Sequence, residues 1–304
     1  MIKIKKYAAI DIGSNAMRVL IANVIEEKGK ATRFNKSHLV RVPIRLGQEA
    51  FTVGEISNES TKRMIKAMKA FKLLMEVYQV EKFAACATSA MREAFNGKEL
   101  VEKINEATGV KIDIIDGKTE AAIISNSNLA AYISTKSNYL YVDVGGGSTE
   151  FTLFSKGKRL VSKSFKNGTV RLLNQMVPEG VWSEIEKWIK EQTVAMESIE
   201  IIGSGGNINK IFKMSGKNQQ KPLTLTYLNQ QFKFLNSLSY EERISNLGLN
   251  QDRADVIIPA IKIYLHAMKS CNAKHLYVPK IGLSDGIVKA MYYNTTEIHT
   301  HSLP

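Results

Sequence analysis

The chain is poor in the residues that mark specialised folds. Its 304 residues include two cysteines, Cys86 and Cys271, six prolines and two tryptophans. Two thiols cannot build a disulfide framework, and they read as buried thiols of a reducing compartment. No run of 18 apolar residues occurs, so no membrane span is expected. The start, Met1-Ile2-Lys3-Ile4-Lys5-Lys6, is charged but has no apolar core or cleavage site behind it, so a cytoplasmic protein without a secretory leader is expected. The five histidines are scattered, and no His/Cys spacing suggests zinc. Low proline and glycine with 44% hydrophobic residues exclude a disordered or collagen-like chain.

Acidic residues are also few: 29 against 42 basic, a net charge of +13. Residues 1–125 carry 21 basic and 15 acidic residues and residues 126–304 carry 21 and 14, so the halves hold +6 and +7. The excess is not a basic tail. With no zinc finger, basic zipper or aromatic-basic RNA signature, nucleic acid is not the expected partner. The even excess reads either as a solvated lysine-rich surface or as a field that attracts a polyanionic substrate to a cleft.

The pattern of apolar runs predicts strands over 7–12, 17–25 and part of 31–45, then a helix over 59–78. Met64, Ala67, Met68, Phe71, Leu74 and Met75 recur at helical spacing and predict a core stripe. A strand over 83–87, a helix over 90–108, a strand over 110–115 and a helix over 118–133 follow. The opening then repeats, with strands over 139–144, 151–154 and 159–165. Helices over 169–176 and 181–196, a short strand at 201–202, helices over 207–214, 225–236 and 251–269, a strand over 275–278 and a helix from 284 complete the second half. Three strands and then alternating helices and strands, written twice, predict two α/β halves, each with a mixed sheet.

Asp11-Ile12-Gly13-Ser14-Asn15 and Asp143-Val144-Gly145-Gly146-Gly147-Ser148 carry the repeat most legibly. Each puts an aspartate at a strand end before a glycine-bearing turn. Such turns present backbone N–H groups to phosphate, and facing each other they would make a cleft between domains. Neither has P-loop spacing, and neither leads into a helix as a dinucleotide fingerprint does. Asp11, Asp143 and Glu150 are candidate Mg²⁺ ligands, since Mg²⁺ needs only a few carboxylates beside substrate phosphates and water. Glu120 is the candidate base that aims water at phosphorus, and Arg18 and Arg92 are candidate phosphate clamps. Gly203-Ser204-Gly205-Gly206-Asn207 is a third glycine turn, with Gly205 and Gly206 free of side chains to approach a nucleotide. Ser284-Asp285-Gly286 reads as a structural cap.

In these segments the chain resembles the exopolyphosphatase/guanosine pentaphosphate phosphohydrolase (Ppx/GppA) family, within the actin, sugar kinase and Hsp70 ATPase superfamily. The matching segments are Ala9–Asn15 with Arg18, Arg45-Leu46-Gly47, Ala87–Ala94 with Asn96, Asp143–Glu150, Gly203–Gly206, Arg253-Ala254-Asp255 and Ser284–Gly286. The resemblance implies an α/β fold of two actin-like (ribonuclease H-like) ASKHA domains, 1–124 and 125–304, around an interdomain cleft. A C-terminal helix within 286–304 would pack back on the first domain. The short two-domain form and a homodimer are expected. The implied activity is Mg²⁺-dependent hydrolysis of a terminal phosphoanhydride, with inorganic polyphosphate favoured over guanosine pentaphosphate (pppGpp). The family's catalytic roles map onto Glu120, Asp143, Glu150 and Arg92, and its phosphate-binding roles onto Gly13, Ser14, Asn15, Arg18, Gly145, Gly146, Gly147, Ser148, Gly205 and Gly206.

The sequence departs from the family pattern at Lys118, Thr119, Ala122 and Asn207, and it lacks an arginine after Asp285 and a later Glu-Gly pair. A catalytically weak polyphosphate or nucleotide sensor, and an ATPase or sugar kinase of the same superfamily, are the other readings.

Overall fold

The computed structural model describes residues 1–125, 133–134, 137–218 and 221–303. The chain divides into two compact units, Met1–Ser127 with Leu283–Pro304, and Asn128–Gly282.

In the first unit the order is β1 (Ile2–Ile12), β2 (Met17–Glu27), β3 (Arg33–Val42), α1 (Leu46–Thr52), α2 (Asn58–Val77), β4 (Lys82–Ala87), α3 (Ser89–Glu93), α4 (Gly97–Thr108), β5 (Asp113–Ile114) and α5 (Gly117–Ser125). The second unit holds β6 (Asn138–Val144), β7 (Thr149–Ser155), β8 (Lys158–Phe165), α6 (Thr169–Leu173), α7 (Val181–Thr193), β9 (Ile199–Ser204), α8 (Gly206–Met214), β10 (Leu223–Thr224), α9 (Leu225–Ser237), α10 (Tyr240–Ser245), α11 (Gln251–Ala254), α12 (Ile257–Ser270) and β11 (His275–Tyr277). The chain then returns to the first unit with α13 (Leu283–Tyr293) and β12 (His301–Ser302).

The two sheets share one plan. In the first, β3, β2 and β1 are antiparallel neighbours, and β4 runs parallel to β1 with β5 parallel beyond it. In the second, β8, β7 and β6 are antiparallel, and β9 runs parallel to β6 with β11 parallel beyond it. This 3-2-1-4-5 order, present twice, is the duplicated actin-like, ribonuclease H-like α/β fold expected above. Among the described residues no helix is long and apolar enough to cross a membrane.

The expected stripe on α2 buries Met64, Ala67, Met68, Phe71 and Met75. The helix starts cleanly because the Ser57 side chain accepts the Ser60 N–H. The second unit's core joins Phe151, Phe165 and Trp188 in edge-on and tilted ring contacts with the apolar faces of α7, α8 and α12.

The structure departs from the expected elements in several places. Strand β1 starts at Ile2 rather than at residue 7, because Lys5 reaches Glu26 across the pair at 2.7 Å. Helix α1 was not foreseen. The expected helix 90–108 is two helices, α3 and α4. Asn96 lies between them, where its Oδ1 accepts the Ile56 N–H and its Nδ2 donates to the Ile56 carbonyl. Gly97 then passes so close to the Met91 carbonyl that a Cβ would sit 2.0 Å from that oxygen. The expected helix 251–269 breaks into α11 and α12. Pro259 lacks the N–H that would reach back to Asp255, so the helix restarts at Ile257. Of the expected helix 118–133, α5 covers the first part, and residues 126–132 lie outside the described residues.

Helix α13 packs on β1 and α5. Gly286 makes this crossing close, since a Cβ there would lie 2.3 Å from the Ile123 carbonyl oxygen. Asp285 accepts Lys36 at 2.8 Å. Beyond α13, the His299 backbone N–H donates to Asp113, and His301 stacks on Phe83 as β12 joins β4.

Candidate active site

In the first unit the polar residues gather at the carboxyl ends of β1 and β4. Asp11 lies opposite Arg18 in the β1/β2 register, and Arg18 Nη1 donates to Asp11 Oδ2 at 3.0 Å. Asp11 is buried while about a third of Arg18 is exposed. Burial pushes the Asp11 carboxyl above its ordinary range, and Arg18 only partly offsets it. The Arg18 pair engages an oxygen that Asp11 would offer as a metal ligand.

The turn that follows is held from below. The Gly13 N–H donates to the Ala16 carbonyl at 3.1 Å, the Ser14 carbonyl accepts Gly47 N–H at 2.7 Å, and the Asn15 carbonyl accepts Arg45 N–H at 3.0 Å. Arg45 takes a left-handed conformation, φ 66°, to begin α1 there. Ser14 and Ser89 share a hydroxyl hydrogen bond of 2.9 Å, which ties the turn to α3.

Arg92, on α3, donates from Nη1 to the Ile115 carbonyl at 2.6 Å, which orients the guanidinium. Glu120 is buried in the first turn of α5. Asp116 starts that turn by accepting the Thr119 N–H on Oδ1 at 2.7 Å. This bond holds the Asp116 carboxyl below its ordinary range. Cys86, beside Asp11 on β4, has its thiol pushed far up, first by burial and then by Asp113, Asp11 and Glu120. Asp11 ends β1 beside Cys86, Asp113 pairs with Cys86 from the other side, and Glu120 follows on α5, so both acids belong to the carboxyl end of this sheet.

The second unit repeats the geometry with different charges. Asp143 stands opposite Glu150 in the β6/β7 register and beside Ser204 on β9. Directly paired cross-strand residues share a face of the sheet, so two acids are neighbours here. Glu150 is buried, and its Oε1 accepts Ser148 Oγ at 2.5 Å and Ser164 Oγ at 2.8 Å. Two adjacent carboxylates with hydroxyls around them are a donor set for a hard, oxygen-seeking cation, so the residues fit Mg²⁺. Among the described residues, no three of His, Cys, Asp and Glu gather into a protein-only metal site. Mg²⁺ does not require one, because it keeps water and bridges substrate phosphates.

Gly205 sits against this pair with φ 124°, where a Cβ would be 3.0 Å from the Val144 carbonyl and 3.9 Å from Asp143 Oδ1. A side chain there would be strained by the φ and tight against the Val144 carbonyl. Gly206 faces the Arg253 guanidinium. Tyr264, fully buried, donates to the Ser204 carbonyl and ties the third turn to β6 through its contact with the Val142 carbonyl. Burial, and then the charge of Asp143, push its hydroxyl well above the ordinary range.

The structure thus gathers Asp11, Gly13, Ser14, Asn15, Arg18, Arg92 and Glu120 in the first unit. It gathers Asp143, Gly145–Ser148, Glu150, Gly205 and Gly206 in the second. Sequence reading included Ser89 in the matched segment Ala87–Ala94 without giving it a role, and it missed Tyr264 and the segment Asn167–Arg171, which underlies the second turn. Asn167 is fully buried, and neither amide atom of its side chain meets a hydrogen-bond partner among the described residues. The only signal for this segment was its place immediately after a third strand, as with Arg45–Gly47.

Comparison with known proteins agrees with this plan. Exopolyphosphatase 1 of Mycobacterium tuberculosis is 20% identical over 304 residues, covering 93% of this chain and 87% of that protein. A guanosine-5'-triphosphate,3'-diphosphate pyrophosphatase of Photobacterium profundum is 26% identical, covering 94% of this chain and 59% of its own length. Among solved structures, an exopolyphosphatase from Cytophaga hutchinsonii superposes with a TM-score of 0.81 at 22% identity, covering 95% of this chain and 98% of the other. The Aquifex aeolicus Ppx/GppA family member gives 0.75 at 23%, covering 97% and 100%. The model of the Ppx/GppA phosphatase family matches residues 24–294, and the chain belongs to that family.

Proposed function

We propose that the protein is a Mg²⁺-dependent exopolyphosphatase that releases orthophosphate from the end of inorganic polyphosphate. The observation that carries this reading is the cross-strand acid pair Asp143–Glu150 beside the triple-glycine turn. An acid pair suits a hard cation, and a glycine turn suits phosphate oxygens. Bound there, Mg²⁺ would neutralise charge building on the phosphoryl oxygens.

The residues of the chain carry the rest. Gly146–Ser148 and Ser14–Asn15 bind phosphate through backbone N–H groups, the Gly13 and Gly145 N–H groups closing their own turns. Arg92 and Arg18 supply guanidinium charge, and Glu120 orients a water in line with the terminal phosphorus and takes its proton. The new bond is from the water oxygen to phosphorus. The broken bond is the terminal P–O bridge, and its electron pair leaves with the shortened chain.

Polyphosphate is preferred because the +13 charge is spread over both halves, a field matched to a long polyanion. The pppGpp reading is supported by the Photobacterium relative and would use the same groups.

A phosphate-release panel with Mg²⁺ tests the proposal on polyphosphates of several lengths, pppGpp and ATP, with Glu120→Ala alongside. The expected result is the highest kcat/KM on polyphosphate and loss of release in Glu120→Ala with binding retained. A higher kcat/KM on pppGpp would replace the substrate. Unchanged release in Glu120→Ala would remove Glu120 from the mechanism. Tight binding without release by the wild type would leave a sensor.

A further inference from the structure

The second glycine turn is suspended from the segment that follows β8. The Gly145 carbonyl accepts the Thr169 N–H at 3.0 Å, and the Gly146 carbonyl accepts the Val170 N–H at 2.8 Å. The Gly147 carbonyl accepts Arg171 Nε at 2.7 Å. Gly168 lies so close beneath that a Cβ there would be 2.3 Å from the Gly146 oxygen and 2.5 Å from the Gly147 carbonyl carbon. The Thr149 hydroxyl donates to the Asn167 carbonyl, which pins the other end of the segment to β7.

A trans peptide is planar, so its carbonyl and the next N–H point in opposite directions. Holding the carbonyls of Gly145, Gly146 and Gly147 on one side therefore turns the N–H groups of Gly146, Gly147 and Ser148 to the other. Three glycines without this support would have many other arrangements open to them, since glycine is the least restricted residue.

We infer that Arg171, with the Asn167–Val170 segment, is a positioning residue that presents these three N–H groups to phosphate. Arg171 is almost completely buried, so its guanidinium acts on the turn from within the unit and is not a surface clamp like Arg18. The first unit uses the same plan with other parts: Arg45 and Gly47 hold the Asn15 and Ser14 carbonyls by backbone N–H groups, and Ser89 holds the Ser14 hydroxyl. The second turn, with three glycines, has a guanidinium on one of its carbonyls.

The inference rests on the phosphate-binding role proposed for the turn. The test compares the wild type with Arg171→Met, Arg171→Lys and Gly168→Ala, with Ile189→Ala as a core-destabilised control. Ile189 is buried in the core of the same unit, on α7 rather than in the turn or the segment beneath it. Two readouts are taken: kcat/KM for Mg²⁺-dependent phosphate release from tripolyphosphate, and the rise in Tm that tripolyphosphate gives.

Arg171→Met is expected to lower kcat/KM roughly 10- to 100-fold, mainly through KM, and to lose the ligand-induced rise in Tm. Ile189→Ala is expected to lower the ligand-free Tm but keep kcat/KM within about threefold of wild type. Wild-type kcat/KM in Arg171→Met overturns the inference, as does an equal fall in Ile189→Ala. If Arg171→Met does not fold, Arg171→Lys and Gly168→Ala carry the same expectation, and wild-type kcat/KM in either overturns it. If the wild type releases no phosphate from any substrate, the proposed activity fails. The inference is then decided by the Tm rise alone, and a rise retained in Arg171→Met overturns it.

Discussion

The two units place different charges at the same structural position. In the first, the aspartate at the end of the leading strand faces an arginine, Arg18, and is held in an ion pair with it. In the second, the equivalent aspartate faces another acid, Glu150. Paired opposite charges across a sheet are favourable and paired like charges are not. One turn therefore sets its aspartate against an arginine, while the other sets it against a second acid. Within one repeated plan, a change of residue type opposite the aspartate, Arg18 in one unit and Glu150 in the other, separates an ion pair from an acid pair.

Exchanging the charge in the second unit gives the largest expected effect. Glu150→Gln and Asp143→Asn should each lower kcat for phosphate release by about 10²- to 10³-fold, a loss typical of removing one preorganised electrostatic group. Circular dichroism should remain that of the wild type. Retained activity in both would mean that the acid pair is not the cation site.

Metal removal is expected to separate the units next. Wild-type activity should vanish in EDTA and return with Mg²⁺, and Mg²⁺ should raise the Tm of the wild type but not of Glu150→Gln. An equal rise in both proteins would move the cation elsewhere.

Arg18→Met tests the first unit. It leaves a buried carboxylate without its partner, a change that costs more than the pair contributed. About a third of Arg18 is exposed, so we expect about 1–2 kcal/mol in urea unfolding. Without Arg18 the Asp11 carboxyl moves further above its unfolded value. The deficit should therefore be small below the unfolded pKa, where both states are protonated, and grow as pH rises through the folded one. A deficit independent of pH would place the cost in packing instead.

The smallest effect is expected at Asp116→Ala, which removes the first-turn acceptor of α5, worth about 1 kcal/mol. The native carboxyl lies below its ordinary range, so its contribution is present above the unfolded pKa and disappears as pH falls through the folded one. The site is well exposed, so the pH-dependent part should be only a fraction of that amount. A loss that persists at pH 2 would exclude the carboxylate as its source.

How legible this arrangement was differs from residue to residue. Asp11 and Asp143 at strand ends were readable because a strand's apolar alternation and a following glycine are local signals. The α2 stripe was readable for the same reason. The α3/α4 break was not, because Asn96 stops the helix by bonding to Ile56, 40 residues away. Helix α1, with Leu46, Gly47, Ala50 and Phe51 buried, is too short for its periodicity to stand out. Strand β12 has two residues and exists only through β4.

The sequence by itself determined the doubled α/β pattern, the two aspartate-glycine turns and the even positive charge, because each is written in neighbouring residues. Tertiary structure decided which charge faces each aspartate and what holds each turn. Those depend on strand register and on the close approach of Gly47 to Ser14 and of Gly168 to Gly146, contacts between segments distant in the chain.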